Sequence, residues 1–362
     1  MTDTASNTLA LPIRPFLRPL LQRLAPFVGT PLNVALSLLL LWLILRVGWL
    51  LLDWAVVNAA LLPAKPETCA ATTGACWSFV IAKSGQILFG IYPPAERWRA
   101  GLVCVLILTT LVASARPSSW RPWLGFAWVA MMALVLWLMG GGFGLSRVPT
   151  SSWGGLPVTL ILTVFAIGLG FPMAILLALG RRSGLPVVRT LSVLVIETIR
   201  GLPLLSLLFV ASILLPLLLP EALLPDKFVR ALLALTIFAA AYLAEVIRGG
   251  LQAIPSGQSE AAKALGLGYW NTQRLIILPQ AIRIVIPALT NTIIVMIKNT
   301  SLVLVVGLFD LISSGKAALS DPDWPAPSTE TFLFIGLIYF ALAFSFARFA
   351  DFLERSGMEK RG

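Results

Sequence analysis

VTLILTVFAIGLGFPMAILLALGRRS occupies residues 158–183. From Val158 to Gly180 it carries no charged side chain. An α-helix rises about 1.5 Å per residue, so roughly 20 apolar residues cross the hydrocarbon core of a bilayer. This run is long enough, and it stops at Arg181 and Arg182. Similar runs recur on both sides of it. The chain of 362 residues accommodates about eight spans, at 32–56, 100–115, 123–140, 156–179, 202–219, 229–247, 284–309 and 330–350.

Composition points the same way. Hydrophobic residues make up 58% of the chain and charged residues 12%, against about 25% charged in a soluble domain. The fold class is therefore an all-α integral membrane protein. An outer-membrane barrel would show short segments of alternating hydrophobicity instead. Histidine is absent, which excludes His-based catalysis and His metal sites.

The net charge is +11. Basic residues on cytoplasmic loops orient a membrane chain, and that reading is preferred to a nucleic-acid partner. With the N-terminus inside, seventeen Lys and Arg fall on the cytoplasmic face: Arg14, Arg18, Arg23, Arg116, Arg121, Arg181, Arg182, Arg189, Arg248, Lys263, Arg274, Arg283, Lys298, Arg348, Arg355, Lys360 and Arg361. Eight fall outside: Lys65, Lys83, Arg97, Arg99, Arg147, Lys227, Arg230 and Lys316. Arg46 and Arg200 lie within apolar stretches. Both termini are expected in the cytoplasm, with membrane lipid around the spans. The first 30 residues have no apolar core followed by a small-residue cleavage site, so no cleavable signal peptide is expected.

The chain divides near residue 150. Residues 1–150 hold three spans and a polar insertion, 58–98, on the outer face. Residues 151–362 hold five spans and a polar cytoplasmic segment, 255–282. Of three cysteines, Cys104 sits in a span. Cys69 and Cys76 sit together in CAATTGAC, within the insertion. An extracytoplasmic position permits a disulfide, but spacing alone leaves a disulfide and free thiols equally open.

The polar segment contains EAAKALGLGYWNTQRLIILPQ, residues 260–280. Ser256 or Ser259 can cap a short helix over SEAAKAL. Gly266 and Gly268 break it, a second helix begins near Trp270, and Pro279 marks a further bend. The expectation is two short cytoplasmic helices joined by a glycine elbow. Physics alone leaves an interfacial helix pair and a docking surface equally open.

The spacing Glu260-Ala261-Ala262, three residues, Gly266, nine residues, Ile276, one residue, Leu278-Pro279 resembles the EAA loop of ABC import permeases at every fixed position. VTLILTVFAIGLGFPMAILLALGRRS, IETIRGLPLL, AAYLAEVIRGGLQAIPSGQ and IKNTSLVLVVGLFDLI are similar to the polar-amino-acid branch of that family. GACWSF and FGIYPPAERWR resemble its longer permeases of general L-amino-acid uptake, which carry three extra spans. The resemblance implies a five-helix type I (MetI-like) core. It implies a transmembrane permease subunit that passes L-amino acids across the bacterial inner membrane. Glu260, Ala261, Ala262, Gly266, Ile276, Leu278 and Pro279 would couple it to a separate ABC ATPase. The other implied partners are a second, related permease and a periplasmic amino-acid-binding protein. ATP and magnesium would sit on the ATPase. This chain has no P-loop, because SSGKAA at 313–318 lacks both the upstream glycine and a following Ser or Thr. No cofactor, metal site or catalytic residue is expected in it.

Charges within spans are functional candidates. Glu197-Thr-Ile-Arg200-Gly201 and Glu245-Val-Ile-Arg248-Gly249 repeat Glu-x-x-Arg-Gly, which places acid and base on one helix face. Local pairing is one reading. The other gives Glu245 to a substrate amino group and Arg200 to its carboxylate. Gly201 and Pro203 are expected to break the stretch 187–219, laying 187–200 partly in the interface. Asn299, Thr300 and Ser301 are expected to bond a neighbouring helix, with Asn299 and Thr300 as further path candidates. Arg46 and Asp53, seven residues apart, are a possible pair. The rival function is an ion-gradient-driven secondary transporter, whose sign would be an unpaired midplane carboxylate. A membrane-embedded enzyme is disfavoured for want of a catalytic cluster.

Overall fold

A computed structural model describes residues 27–359, except 28, 62–64, 117–118, 120 and 122, and describes no side chain of 355–359. The charges assigned to Arg14, Arg18, Arg23, Lys360 and Arg361 lie outside the described residues, as does the side chain of Arg355.

The chain falls into two compact units, one ending at Trp77 and one beginning at Ser78. In the first, α1 (Pro31–Leu52) starts where Thr30 accepts a hydrogen bond from the Asn33 amide at 3.2 Å and Pro31 occupies the first turn. Proline is tolerated there because that N–H has no helical partner. A π-helical turn, Asp53–Val57, extends it. None of its residues is buried, as suits a helix with hydrocarbon around it. Asp53 accepts from Asn58 Nδ2 at 3.0 Å and does not pair with Arg46. Two helical turns separate Arg46 from Asp53 by about 10 Å of rise, whereas Asn58 lies at the adjoining helix end. A short helix, α2 (Pro66–Ala71), leads to Cys76, which is bonded to Cys69 with Cα atoms 5.4 Å apart.

The second unit is built on α3 (Trp77–Phe89, all but its first residue), α4 (Arg97–Ser114), α5 (Trp123–Gly140), α6 (Gly155–Arg181), α7 (Pro186–Gly201), α8 (Leu204–Phe209), α9 (Leu215–Leu218), α10 (Lys227–Gln252), α11 (Ser256–Ala264), α12 (Tyr269–Thr272), α13 (Leu278–Asn299), α14 (Leu311–Leu319) and α15 (Ser328–Glu359). Among the described residues, seven helical stretches are long and apolar enough to cross a membrane. An eighth arises if α7 and the stretch Leu204–Leu218 count as one span, bent by 103°. The bend falls at Leu202-Pro203, next to Gly201, because proline disfavours helical geometry in the residue before it.

The core of this unit is the pair α6 and α10, which pack along their length. Both are rich in small residues, which let backbones approach without a hydrophobic drive from water. A Cβ on Gly170 would sit 3.1 Å from the Thr236 carbonyl oxygen and 3.3 Å from Ala239 Cβ. At its Gly155 end, α6 has α3 lying against it. Gly155 has φ +72°, and a Cβ there would fall 2.1 Å from the Leu88 carbonyl oxygen, so only glycine fits. Lys83 of α3 is salt-bridged to Asp321, and the Phe79 and Trp324 rings meet edge to face at 5.4 Å. The loop 321–328, DPDWPAPS, is thereby tied to α3.

Candidate functional site

Two sites of different character lie near the Arg181 end of α6. The first is the segment 255–282. Helix α11 begins at Ser256, with Pro255 at the cap position and no side-chain cap. Neither Ser256 nor Ser259 serves as the cap. Ser256 already has helical geometry, and the extended backbone needed at the cap is supplied by Pro255, with ψ 142°. The helix ends in a Schellman motif. The Gly266 amide donates to the Lys263 carbonyl at 2.9 Å and the Leu267 amide to the Ala262 carbonyl at 3.0 Å. That geometry requires a left-handed residue, and Gly266 has φ +75°. The glycine elbow thus has a stated backbone reason.

The segment after the elbow is continuous helix, contrary to the bend expected at Pro279. From Tyr269 through Val306 the chain forms one helical path. A π turn at Gln273–Ile277 precedes Pro279, which falls in the first turn of α13. The wider i→i+5 turn absorbs the missing proline N–H. The residues at the fixed positions separate by role. Ala262 is buried, and Ile276 and Leu278 pack against the core. Glu260 and Ala261 face out, as does Pro279. Leu265, Tyr269 and Trp270 are exposed at 79%, 54% and 66%, which makes an apolar rim around the elbow. A recess of about 400 Å³ opens there, lined by Arg182, Ser259, Glu260, Lys263 and Tyr269 among others.

The second site is a cluster of guanidiniums and carboxylates where α6, α7 and α10 come together. Glu245 is held by Arg248 on its own helix, with Nε–Oε1 at 2.8 Å. Arg181 approaches its other oxygen at 3.3 Å and Arg200 at 3.9 Å. The repeated Glu-x-x-Arg pattern therefore gives a local pair in α10 only. Glu197 pairs instead with Arg181 across helices at 2.7 Å. Arg200, in the last turn of α7, turns toward Glu245 and the Tyr242 ring, 5.8 Å from its centroid. The helix end frees its side chain to reach the more buried acid. Sequence reasoning passed over Arg181 and Tyr242. In the sequence Arg181 reads only as an orienting charge, and no spacing rule links α6 to α10.

Among the described residues, no hydrogen bond or ion pair joins Asn299 or Thr300 to that cluster. Thr300 is fully buried and its hydroxyl donates to the Ile297 carbonyl at 2.7 Å. Ser301 likewise donates to the Lys298 carbonyl at 2.8 Å. Both bond their own helical turn, and Thr300 also meets the Tyr339 hydroxyl of α15, the neighbouring-helix contact expected of it. A further buried acid, Asp310, caps α14: it accepts from the Ser313 amide at 2.9 Å and from the Tyr339 hydroxyl at 3.2 Å. Asp followed by Leu-Ile-Ser-Ser is a helix-start signal that could have located it. Among the described residues, no group of His, Cys, Asp and Glu could hold a metal ion.

Residues 166–356 match the family described as binding-protein-dependent transport system inner membrane component. The chain is 45% identical over 330 residues to the inner membrane amino-acid ABC transporter permease protein YhdY of Escherichia coli, covering 89% of each. It is 37% identical over 342 residues to the glutamate/glutamine/aspartate/asparagine transport system permease protein BztC of Rhodobacter capsulatus, covering 78% of this chain and 79% of that one. A crystal structure of an amino-acid ABC transporter with histidines aligns at 35% identity over 56% of this chain and 92% of that one, with a TM-score of 0.49.

Proposed function

We propose, since the chain belongs to the family of binding-protein-dependent transport system inner membrane components, that it is the permease subunit of an ATP-driven importer of L-amino acids. It is a multi-pass membrane subunit of an ABC importer rather than an ion-driven carrier. The substrate class rests on the named relatives, which are amino-acid permeases. The observation that carries the mechanism is the 260–280 segment: an exposed helix, a glycine-locked elbow and an apolar rim.

In this reading α11 and the elbow dock in a separate ABC ATPase, which binds ATP and magnesium. A binding protein delivers the amino acid on the outer face, and a second, related permease completes the path. ATP-driven closure of the ATPases moves α11. The rigid link from Tyr269 into α13 passes that motion directly into a span, so no hinge at Pro279 dissipates it. The two transport states differ by a rigid-body rearrangement of helices. The termini lie in the cytoplasm of a bacterial cell. The division near residue 150 read from the sequence would then separate an accessory part from the transport core.

The Glu245 cluster supports this reading over gradient-driven transport. A carboxylate that takes up a coupling ion must be able to release it, whereas Glu245 is engaged by three guanidiniums. Uptake into membrane vesicles tests the point. Vanadate should abolish uptake with the ion gradient intact, and dissipating the gradient at constant ATP should leave it. The opposite pattern would overturn the proposal.

A further inference from the structure

A recess of about 530 Å³ lies beside the cluster, lined by Arg181, Arg182, Arg189, Arg248, Ser183 and Gln252. No carboxylate lines it. The nearby acids, Glu197 and Glu245, are engaged by Arg181, Arg200 and Arg248. Arg182 and Arg189 add two more guanidiniums, and neither is in an ion pair among the described residues. Five arginines thus face two glutamates, an excess of three positive charges. Arg182 is anchored by donating to the Leu251 carbonyl at 2.6 Å.

The surface next to the recess indicates what brings the negative charge. Helix α7 starts at its rim and leaves Leu185, Val187, Leu191 and Leu194 exposed at 64%, 69%, 56% and 60%. Its 103° turn into the following stretch suits a helix lying along the membrane interface, apolar face in the acyl region. A cationic recess bordered by an apolar helix face is the complement of an amphiphile with an anionic head. Basic pockets between membrane helices hold phospholipid headgroups for the same reason. We propose that this recess binds the phosphate of an anionic phospholipid, with the acyl chains lying over the exposed face of α7. The lipid would offset the excess charge and steady the junction of α6, α7 and α10. This inference needs only that the chain spans a membrane, not the transport reading.

The purified full-length chain, titrated in mild detergent with phosphatidylglycerol or phosphatidylcholine of identical acyl chains, tests it by native mass spectrometry. Phosphatidylglycerol should be retained at least roughly tenfold better, and the double variant Arg182→Gln/Arg189→Gln should lose that preference. Arg182→Lys/Arg189→Lys should keep most of it. Arg116→Gln/Arg121→Gln removes the same charge elsewhere and should change nothing. The single exposed variant Arg189→Gln gives a folded reference if the double variant aggregates, and it should show a partial loss. Equal retention of the two lipids, or equal loss in the Arg116/Arg121 control, overturns the proposal. Displacement of phosphatidylglycerol by millimolar glycerophosphate or inorganic phosphate assigns the recess to a soluble phosphate and overturns the lipid.

Discussion

Gly266 shows how one residue sets the exposed elbow. A Cβ there would meet nothing within 4 Å, so the position is not closed by crowding. The constraint is its φ of +75°, where an L side chain costs roughly 1–2 kcal/mol. Gly266→Ala should therefore fray the end of α11 without unfolding the spans. Amide hydrogen exchange should rise at Leu265–Leu267 and stay unchanged in α6 and α10. Glu245 and Glu197 make a matched contrast. Glu245 is four-fifths buried and contacts three guanidiniums. Glu245→Gln should destabilise the purified protein by roughly 1.5–3 kcal/mol, the scale of a hydrogen-bonded charge, and should depress uptake. Glu197 is 52% exposed, and Glu197→Gln should cost less than about 1 kcal/mol. Thermal unfolding in detergent checks the order. Equal losses would remove Glu245 from the centre of the cluster.

At the scale of elements, glycine decides which helices can touch. Gly155→Ala would drive a Cβ into the Leu88 carbonyl oxygen at 2.1 Å. Folded protein should fall to background on gel filtration, whereas Gly249→Ala, with nothing within 4 Å, should behave as wild type. The contact between α3 and the loop after α14 should respond to pH. The Lys83 ammonium beside Asp321 holds its carboxyl below the ordinary carboxylate range. A lowered carboxylate supports the folded contact above its unfolded pKa and loses that support as pH falls through the folded one. Trp324 fluorescence should be constant near neutrality and change only on acidification below the ordinary Asp range. Lys83→Met should shift that change to higher pH.

The helices themselves were legible in the sequence, because apolar length is a strong local signal. Pro31–Val57, Trp123–Gly140 and Gly155–Arg181 all follow from it. The break at Gly201–Pro203 was legible too, from proline stereochemistry. The continuity at Pro279 was not, since a π turn leaves no fixed residue signature. The helix and elbow of 255–282 could be read from Gly266, but the salt-bridge partners could not. Periodicity finds the partner three residues away, Arg248, and is blind to Arg181 reaching Glu245 from another helix.

Across the whole molecule, the parity of spans carries the topology. Both termini share a side only if α7 and Leu204–Leu218 together cross once. Reporters fused after residue 1 and before residue 362 should both report cytoplasm. Opposite locations would mean that this bent pair enters and leaves on one face. The bonded Cys69–Cys76 pair gives an independent marker. A membrane-impermeant maleimide should label this segment from outside only after reduction, with Cys104, which is buried, silent throughout.

The most direct measurement is purification of the chain from membranes in mild detergent, with mass spectrometry of what accompanies it. An ATPase bearing a P-loop should co-purify with wild type. It should be lost with Gly266→Pro, whose fixed φ near −65° cannot meet the +75° of the elbow, and with Glu260→Lys, at equal abundance in the membrane. Recovery of the chain alone, still moving amino acids in vesicles without ATP, or an ATPase retained by both variants, would contradict the assignment of residues 260–280 as the dock.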